Sequence, residues 1–255
     1  MRAAVGSWSI SASSSEVGGF TEVWYHADAI PGWFGEVSAA AFWGVISATR
    51  PRTVVEIGSY LGRSTVFLGL AVKALCGPDA RLVSIDPHTG DRQLLEGLGL
   101  ERLGSLDLFR LHVAGAGISD ILDTRVARSE EVGAGWTDPV DLLFVDGWHS
   151  YDAVRSDLRT FGANLSAGGI VCCDDFVRYS DVRRAVLDGC EELGLVRYGI
   201  VAGQAWAGRG AEPPPALARA IRVHRLAPVG PGGGFLRLRR RLGHGRVAGT
   251  AFEFR

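Results

Sequence analysis

Apolar positions along this chain fall into two alternating patterns. Short stretches rich in Val, Ile and Leu occur at 53–57, 81–85, 122–127, 140–145 and 169–173, several of them unbroken apolar runs closed by Gly or Asp. Such runs predict strands buried on both faces. Between them lie longer stretches of helical composition and spacing, at 64–75, after Pro87, at 151–164 and at 181–193. Residues 21–49 predict a helical segment ahead of the first strand. Pro31-Gly32 breaks it, and Phe34, Val37, Ala41, Phe42 and Val45 then recur at helical intervals. Residues 196–201 and 204–209 predict a closing hairpin around Ala202-Gly203.

Strand and helix in alternation imply an α/β fold with a doubly wound, mostly parallel sheet, helices on both faces and right-handed crossovers. Ligands of such sheets gather at the carboxyl ends of the strands. Four predicted strands carry an acid at that edge: Glu56, Asp86, Asp146 and Asp174. Residues 21–209 are expected to form one domain. Residues 1–20 read as a Ser/Gly-rich disordered leader, and 210–255 as an extension with Pro213-Pro214-Pro215, Gly232-Gly233-Gly234 and a basic stretch at 237–246.

Composition narrows the partners. At 47% hydrophobic and 22% charged, with a net charge of -1, the chain is ordinary for a globular protein and offers little to a polyanion. No nucleic acid partner is expected, and the arginine run at 237–241 lacks the aromatic interleaving that would argue otherwise. Cys76, Cys172, Cys173 and Cys190 show no C-x-x-C spacing, so neither a zinc site nor disulfide staples are expected. The absence of a long apolar stretch predicts no membrane span, and a cytoplasmic enzyme is the default. A homo-oligomer is compatible with everything above.

The turn after the first strand reads Glu56-Ile57-Gly58-Ser59-Tyr60-Leu61-Gly62-Arg63-Ser64. Its glycines follow G-x-x-x-G. A dinucleotide turn would need glycine at Tyr60 and Arg63, and no G-K-[S/T] for phosphates is present. Glu56, directly before the turn, suits a cation and would repel a pyrophosphate. S-adenosylmethionine carries an ammonium and a sulfonium and no phosphate, so the sign of Glu56 points to it. Asp86, at the end of the second strand, could accept both ribose hydroxyls. A plain tight turn between strand and helix is the bland alternative.

The stretches VVEIGSYLGRSTVFLGL, VSIDPH, DLLFVDGWHSYDAVRSDL and GGIVCCDDF resemble the small O-methyltransferases. The likeness is to catechol-type enzymes and, more closely, to the macrocin and mycinamicin sugar O-methyltransferases with their cephalosporin-hydroxylase-like relatives. It covers about residues 53–176, and more loosely extends to 209. The resemblance implies a Rossmann-like sheet of seven strands with the seventh antiparallel. It also implies that Glu56, Gly58, Ser59, Tyr60, Gly62, Ser64 and Asp86 surround S-adenosylmethionine, and that Ser129 reaches its adenine.

Adjacent parallel strands would bring Asp146, Asp174 and Asp175 together beside the cofactor's methyl group, with Asp146 able to touch the cofactor as well. Three ionised carboxylates in one cleft need a proton or a cation, and an all-oxygen set suits Mg²⁺. In the resembling families acids at these positions hold the metal. His149, three residues after Asp146, matches the offset of a catalytic base there. It could take a hydroxyl proton during methyl transfer, or only brace the loop. The implied acceptor is a hydroxyl of a small molecule, a sugar or another natural product.

Tyr151, Asp152 and Asp157 are expected at a helix start and its surface. Trp24, Tyr25, Trp33 and Phe34 predict either a cover over the substrate or core packing. Three other readings stay open: a hydroxylase-like relative without methyl transfer, a nicotinamide oxidoreductase (disfavoured by Glu56), and a non-catalytic cofactor-binding module.

Overall fold

The computed structural model describes residues 19–89, 95, 97 and 104–226; the leader up to residue 18 and the basic stretch at 237–246 lie outside the described residues. Two helices, α1 (Phe20–Asp28) and α2 (Glu36–Thr49), precede the first strand, and the break between them contains Pro31-Gly32. The strands are β1 (Thr53–Ile57), β2 (Arg81–Ile85), β3 (Leu122–Arg125), β4 (Val140–Val145), β5 (Leu165–Cys173), β6 (Val196–Val201) and β7 (Gln204–Gly208). They form one sheet of seven strands in the order β3-β2-β1-β4-β5-β7-β6. Only β7 runs antiparallel to its neighbours, β5 and β6. This is the doubly wound, mostly parallel sheet that the alternation predicts.

The side-chain alternation of a strand sends successive residues to opposite faces. In β4, Leu142 and Phe144 enter one core, while Leu143 and Val145 enter the other. Ile170 and Cys172 of β5 join the first, Val171 and Cys173 the second. Both faces are covered by helices, so the strands read as continuous apolar runs, and the paired cysteines are small core side chains.

The first face packs α1, α2, α3 (Arg63–Leu75) and α4 (Ser105–Ala116). The second packs α6 (Tyr151–Asp157) and α7 (Ser180–Glu192), with the short α5 (Ser129–Gly133) following β3. Residues 151–164, predicted as one helix, are α-helical only to Asp157; Leu158–Gly162 then form a π-helical turn. The fifth strand begins at Leu165, earlier than predicted. Past residue 209 the chain continues into α8 (Pro215–Leu226), which seats Leu217 and Ile221 in the first core. Among the described residues, no helix is long and apolar enough to cross a membrane.

The sheet order reverses between β1 and β4, whose following helices cover opposite faces. A crevice opens at the carboxyl ends of such a pair.

Candidate active site

The residue one step beyond each of four strands stays in the ladder. Asp86 N donates to Arg125 O, Gly58 N to Ile85 O, Asp146 N to Ile57 O and Asp174 N to Val145 O. These bonds align Asp86, Gly58, Asp146 and Asp174 in a row along the carboxyl edge, one strand spacing apart. Gly58 sits between two acids, with φ +88, and a Cβ there would lie 2.1 Å from the Asp146 carbonyl oxygen. Only glycine fits, because the chain must turn left-handed against the neighbouring backbone.

Glu56 ends fully buried on the α3 side. Its Oε2 accepts from the Thr65 hydroxyl, and Ser64 adds a second hydrogen bond. Burial pushes its carboxyl up to about 7; the Ser64 and Thr65 hydroxyls oppose this, and Asp86 adds to it. Glu56 Oε1 and the Ser59 hydroxyl are buried without a hydrogen-bond partner. Buried polar atoms are rarely left so unless a ligand or water completes them. A cationic ligand across the turn fits both the charge and the missing partner.

Asp86 is already committed. Its Oδ2 accepts from Ser59 N and Tyr60 N, both at 2.8 Å, and Oδ1 from His88 N at 2.7 Å. A carboxylate takes about four hydrogen bonds, so one ribose hydroxyl fits without displacing the backbone. The same bonds hold Tyr60 at φ +47. Gly62, at φ +91, closes the turn through Gly62 N to Ser59 O and caps α3. Ser129 opens α5 just beyond β3, hydrogen-bonded to Asp157. Asp157 is 2% exposed, not on the helix surface as its place in the first turns of a helix suggests. The π-helical turn begins at the next residue, Leu158.

At the β4–β5 edge, one ligand atom each from Asp146, His149 and Asp175 lies within 4.8 Å of the others. His149 Nε2 is 2.9 Å from Asp175 Oδ2, and its ring stacks on Tyr179 with centroids 4.7 Å apart and planes 13° apart. Asp175 has a left-handed backbone, at φ 55, directly after Asp174. Asp174 stands differently: its Oδ1 accepts from Asp175 N at 2.7 Å and its Oδ2 from Gln204 Nε2 at 3.1 Å. Burial, then Asp174, Asp175, Glu56 and Asp86, hold the Asp146 carboxyl well above the usual carboxylate range. Burial also raises Asp174, against the Gln204 hydrogen bond. A dication among these groups would relieve both the repulsion and the desolvation.

Sequence reasoning missed Thr65, Tyr179 and Gln204. Gln204 was legible in principle, as the one polar residue of an apolar strand, and it is 1% exposed. Nothing in the sequence marks Tyr179 as the ring beneath His149. The aromatic cluster near Pro31-Gly32 divides. Phe34 is 5% exposed in the core and Trp24 packs against it, whereas Tyr25 and Trp33 are 71% and 68% exposed.

A family described as a methyltransferase domain matches residues 55–176, which span β1 to the loop after β5. Among solved structures, the chain is similar to the O-methyltransferase NovP, at 15% identity and a TM-score of 0.57 over 69% of this chain and 80% of that one. It is similar to an O-methyltransferase from Bacillus cereus in complex with SAH, at 14% identity and a TM-score of 0.53 over 74% and 90% of the two chains. An SAH-bound methyltransferase from Podospora anserina gives 14% identity and a TM-score of 0.53 over 74% and 86%. Identities this low carry the fold alone. Residues 55–176 thus match the methyltransferase-domain family, and the seven-stranded sheet that contains them has the Rossmann-like methyltransferase fold.

Proposed function

We propose that this methyltransferase methylates a hydroxyl oxygen of a small molecule, a sugar or another natural product, with a divalent cation in the crevice. The observation that carries the reading is the convergence of Asp146, His149 and Asp175 beside the turn that Gly58 makes against Asp146. That several proteins of the same fold are O-methyltransferases supports it.

S-adenosylmethionine supplies an electrophilic methyl group on a sulfonium. Glu56 offers its unpartnered Oε1 to the cofactor's positive charge, and Asp86 keeps the turn in shape while accepting one ribose hydroxyl. Gly58 and Gly62 let the backbone approach, Ser59, Tyr60 and Ser64 line the turn, and Ser129 stands at the adenine end. Asp146 and Asp175 would be the donors for Mg²⁺, with Asp174 as the adjacent third carboxylate, and the cation would supply a Lewis acid that acidifies the acceptor hydroxyl. His149 is the base. When Nε2–H donates to Asp175, Nδ1 keeps the lone pair that takes the acceptor's proton. Tyr179 covers one face of the imidazole and leaves its edges open.

Isothermal titration with S-adenosylmethionine, with and without Mg²⁺, tests this reading. Binding in the micromolar range with a separate Mg²⁺ heat is expected. Cofactor binding without any response to Mg²⁺, Mn²⁺ or chelator would remove the metal from the proposal. No cofactor binding under either condition would overturn it entirely.

A further inference from the structure

We infer that Arg63 is a positioning residue that ties the N-terminal helical segment to the cofactor turn, holding Trp33 against Tyr60 as one wall of the cofactor cleft. The inference rests on the reading of that turn as the cofactor site.

Arg63 is the first residue of α3, directly after Gly62. A cation there sits at the unfavourable end of the helix dipole, so its guanidinium needs acceptors elsewhere. It finds them in the connection between α1 and α2. One terminal nitrogen donates to Ile30 O at 3.0 Å and reaches Gly32 O at 3.5 Å, while the other pairs with Asp28. The guanidinium also lies over Trp24, 5.2 Å from the ring centroid. The aliphatic stem presses on the same connection, because a Cβ at Gly32 would meet Arg63 Cβ and Cδ at 3.3 Å. One side chain thus grips the connection at Asp28, Ile30 and Gly32.

Trp33 is the next residue. Its ring centroid is 5.7 Å from that of Tyr60, in the turn itself. Tyr60 is fixed independently, since its backbone N–H donates to Asp86. Trp33 is nonetheless 68% exposed, while neighbouring Phe34 is 5% exposed. The connection therefore sends one aromatic ring into the core and presents the next on the rim of the crevice. An exposed tryptophan leaning on the cofactor turn has one face for Tyr60 and open surface for whatever lies across the turn. Its position depends on a backbone that the buried Ile30 and Phe34 anchor to the core and that Arg63 ties to the start of α3.

The test compares the full-length protein with R63A, R63K, W33A and the double variant R63A/W33A. Two measurements apply: titration with S-adenosylhomocysteine, and hydrogen exchange of the ligand-free protein. R63A is expected to weaken binding about tenfold, with R63K between it and the unaltered protein. The double variant should bind no more weakly than W33A alone, because Arg63 acts through Trp33. Exchange in R63A should quicken in peptides covering 28–34 and also in those covering 59–62. Additive losses in the double variant would overturn the inference, as would faster exchange confined to 28–34. R63K carries both measurements if R63A does not fold. If the unaltered protein does not bind S-adenosylhomocysteine, the cofactor reading falls and Trp33 loses its role as a wall. The exchange result then separately upholds or overturns the tie between the segment and the turn.

Discussion

His149 and Asp175 face each other across 2.9 Å, Nε2 to Oδ2, although they come from the loops after two different strands. The pair exists because β4 and β5 are adjacent and in register at their carboxyl ends, Val145 opposite Cys173. Asp175 orients an imidazole whose face is already packed on Tyr179. His149→Ala is therefore expected to lower turnover by about 10²–10⁴-fold, the range of a lost general base, with cofactor affinity unchanged. Single-turnover methyl transfer to any accepted hydroxyl, together with cofactor titration, checks it. Unchanged turnover would leave His149 as a brace for the loop.

The acids at the ends of β4 and β5 should separate by experiment. Asp146→Asn and Asp175→Asn are expected to abolish a Mn²⁺ electron-paramagnetic-resonance binding signal at micromolar metal. Asp174→Ala removes the acceptor of Gln204 Nε2 and Asp175 N, so its first effect is a loss of about 1–3 kcal/mol in stability, read by denaturant melting. Equal metal loss without destabilisation in Asp174→Ala would show that its carboxylate serves the metal and not the loop.

Glu56 carries a pH dependence of known sign. Burial raises its carboxyl to about 7, so the free protein carries Glu56 neutral below that pH and ionised above it. A cationic cofactor favours the ionised form. Affinity for S-adenosylmethionine should rise from pH 6 to pH 8, and Glu56→Gln should flatten the profile. Titration at both pH values decides this, and a flat profile in the unaltered protein would show that Glu56 does not face the cofactor's charge.

Asp157 makes a prediction about stability. Burial pushes its carboxyl from an ordinary 3.8 to about 7, against the Ser129 hydrogen bond and with help from Glu130. The folded state thus binds the proton more tightly than the unfolded state. The contribution is fully present below about pH 4, and it is lost as pH rises through about 7. Asp157→Asn should hold its midpoint of unfolding better than the unaltered protein between pH 5 and pH 8. Parallel midpoints across that range would refute the assignment.

Gly58→Ala is the most severe single change expected. The new methyl group would fall on the Asp146 carbonyl, at a left-handed backbone position. Either the β1 turn moves or β4 separates, and cofactor binding should be lost with a large drop in the unfolding midpoint. A variant that melts and binds normally would contradict the close approach of the two strands.

Much of this protein is legible in one dimension. Strands buried on both faces are apolar at most positions, so Thr53–Ile57 and Val140–Val145 stand out, with Glu56 and Asp141 the charged exceptions. The acids at the strand ends are legible for a related reason, since a carboxylate at the edge of an apolar run has few structural excuses. The sign of Glu56 and the spacing of Gly58 and Gly62 report local chemistry, and local chemistry survives without coordinates. Partnership does not. That Asp86 gives its oxygens to the turn, that Asp174 leans on Gln204 while Asp175 meets His149, and that Asp157 is buried with Ser129 depend on which strands lie side by side. The same holds for Arg63, which reads as a solvated helix residue until the segment 28–33 folds back onto it. Hydrophobic periodicity is a property of each element alone, and so the sequence by itself determined the elements and the edge where chemistry gathers. Hydrogen bonds between side chains distant in the chain are satisfied only by the assembled sheet, and so the tertiary structure alone decided which of those residues are free to act.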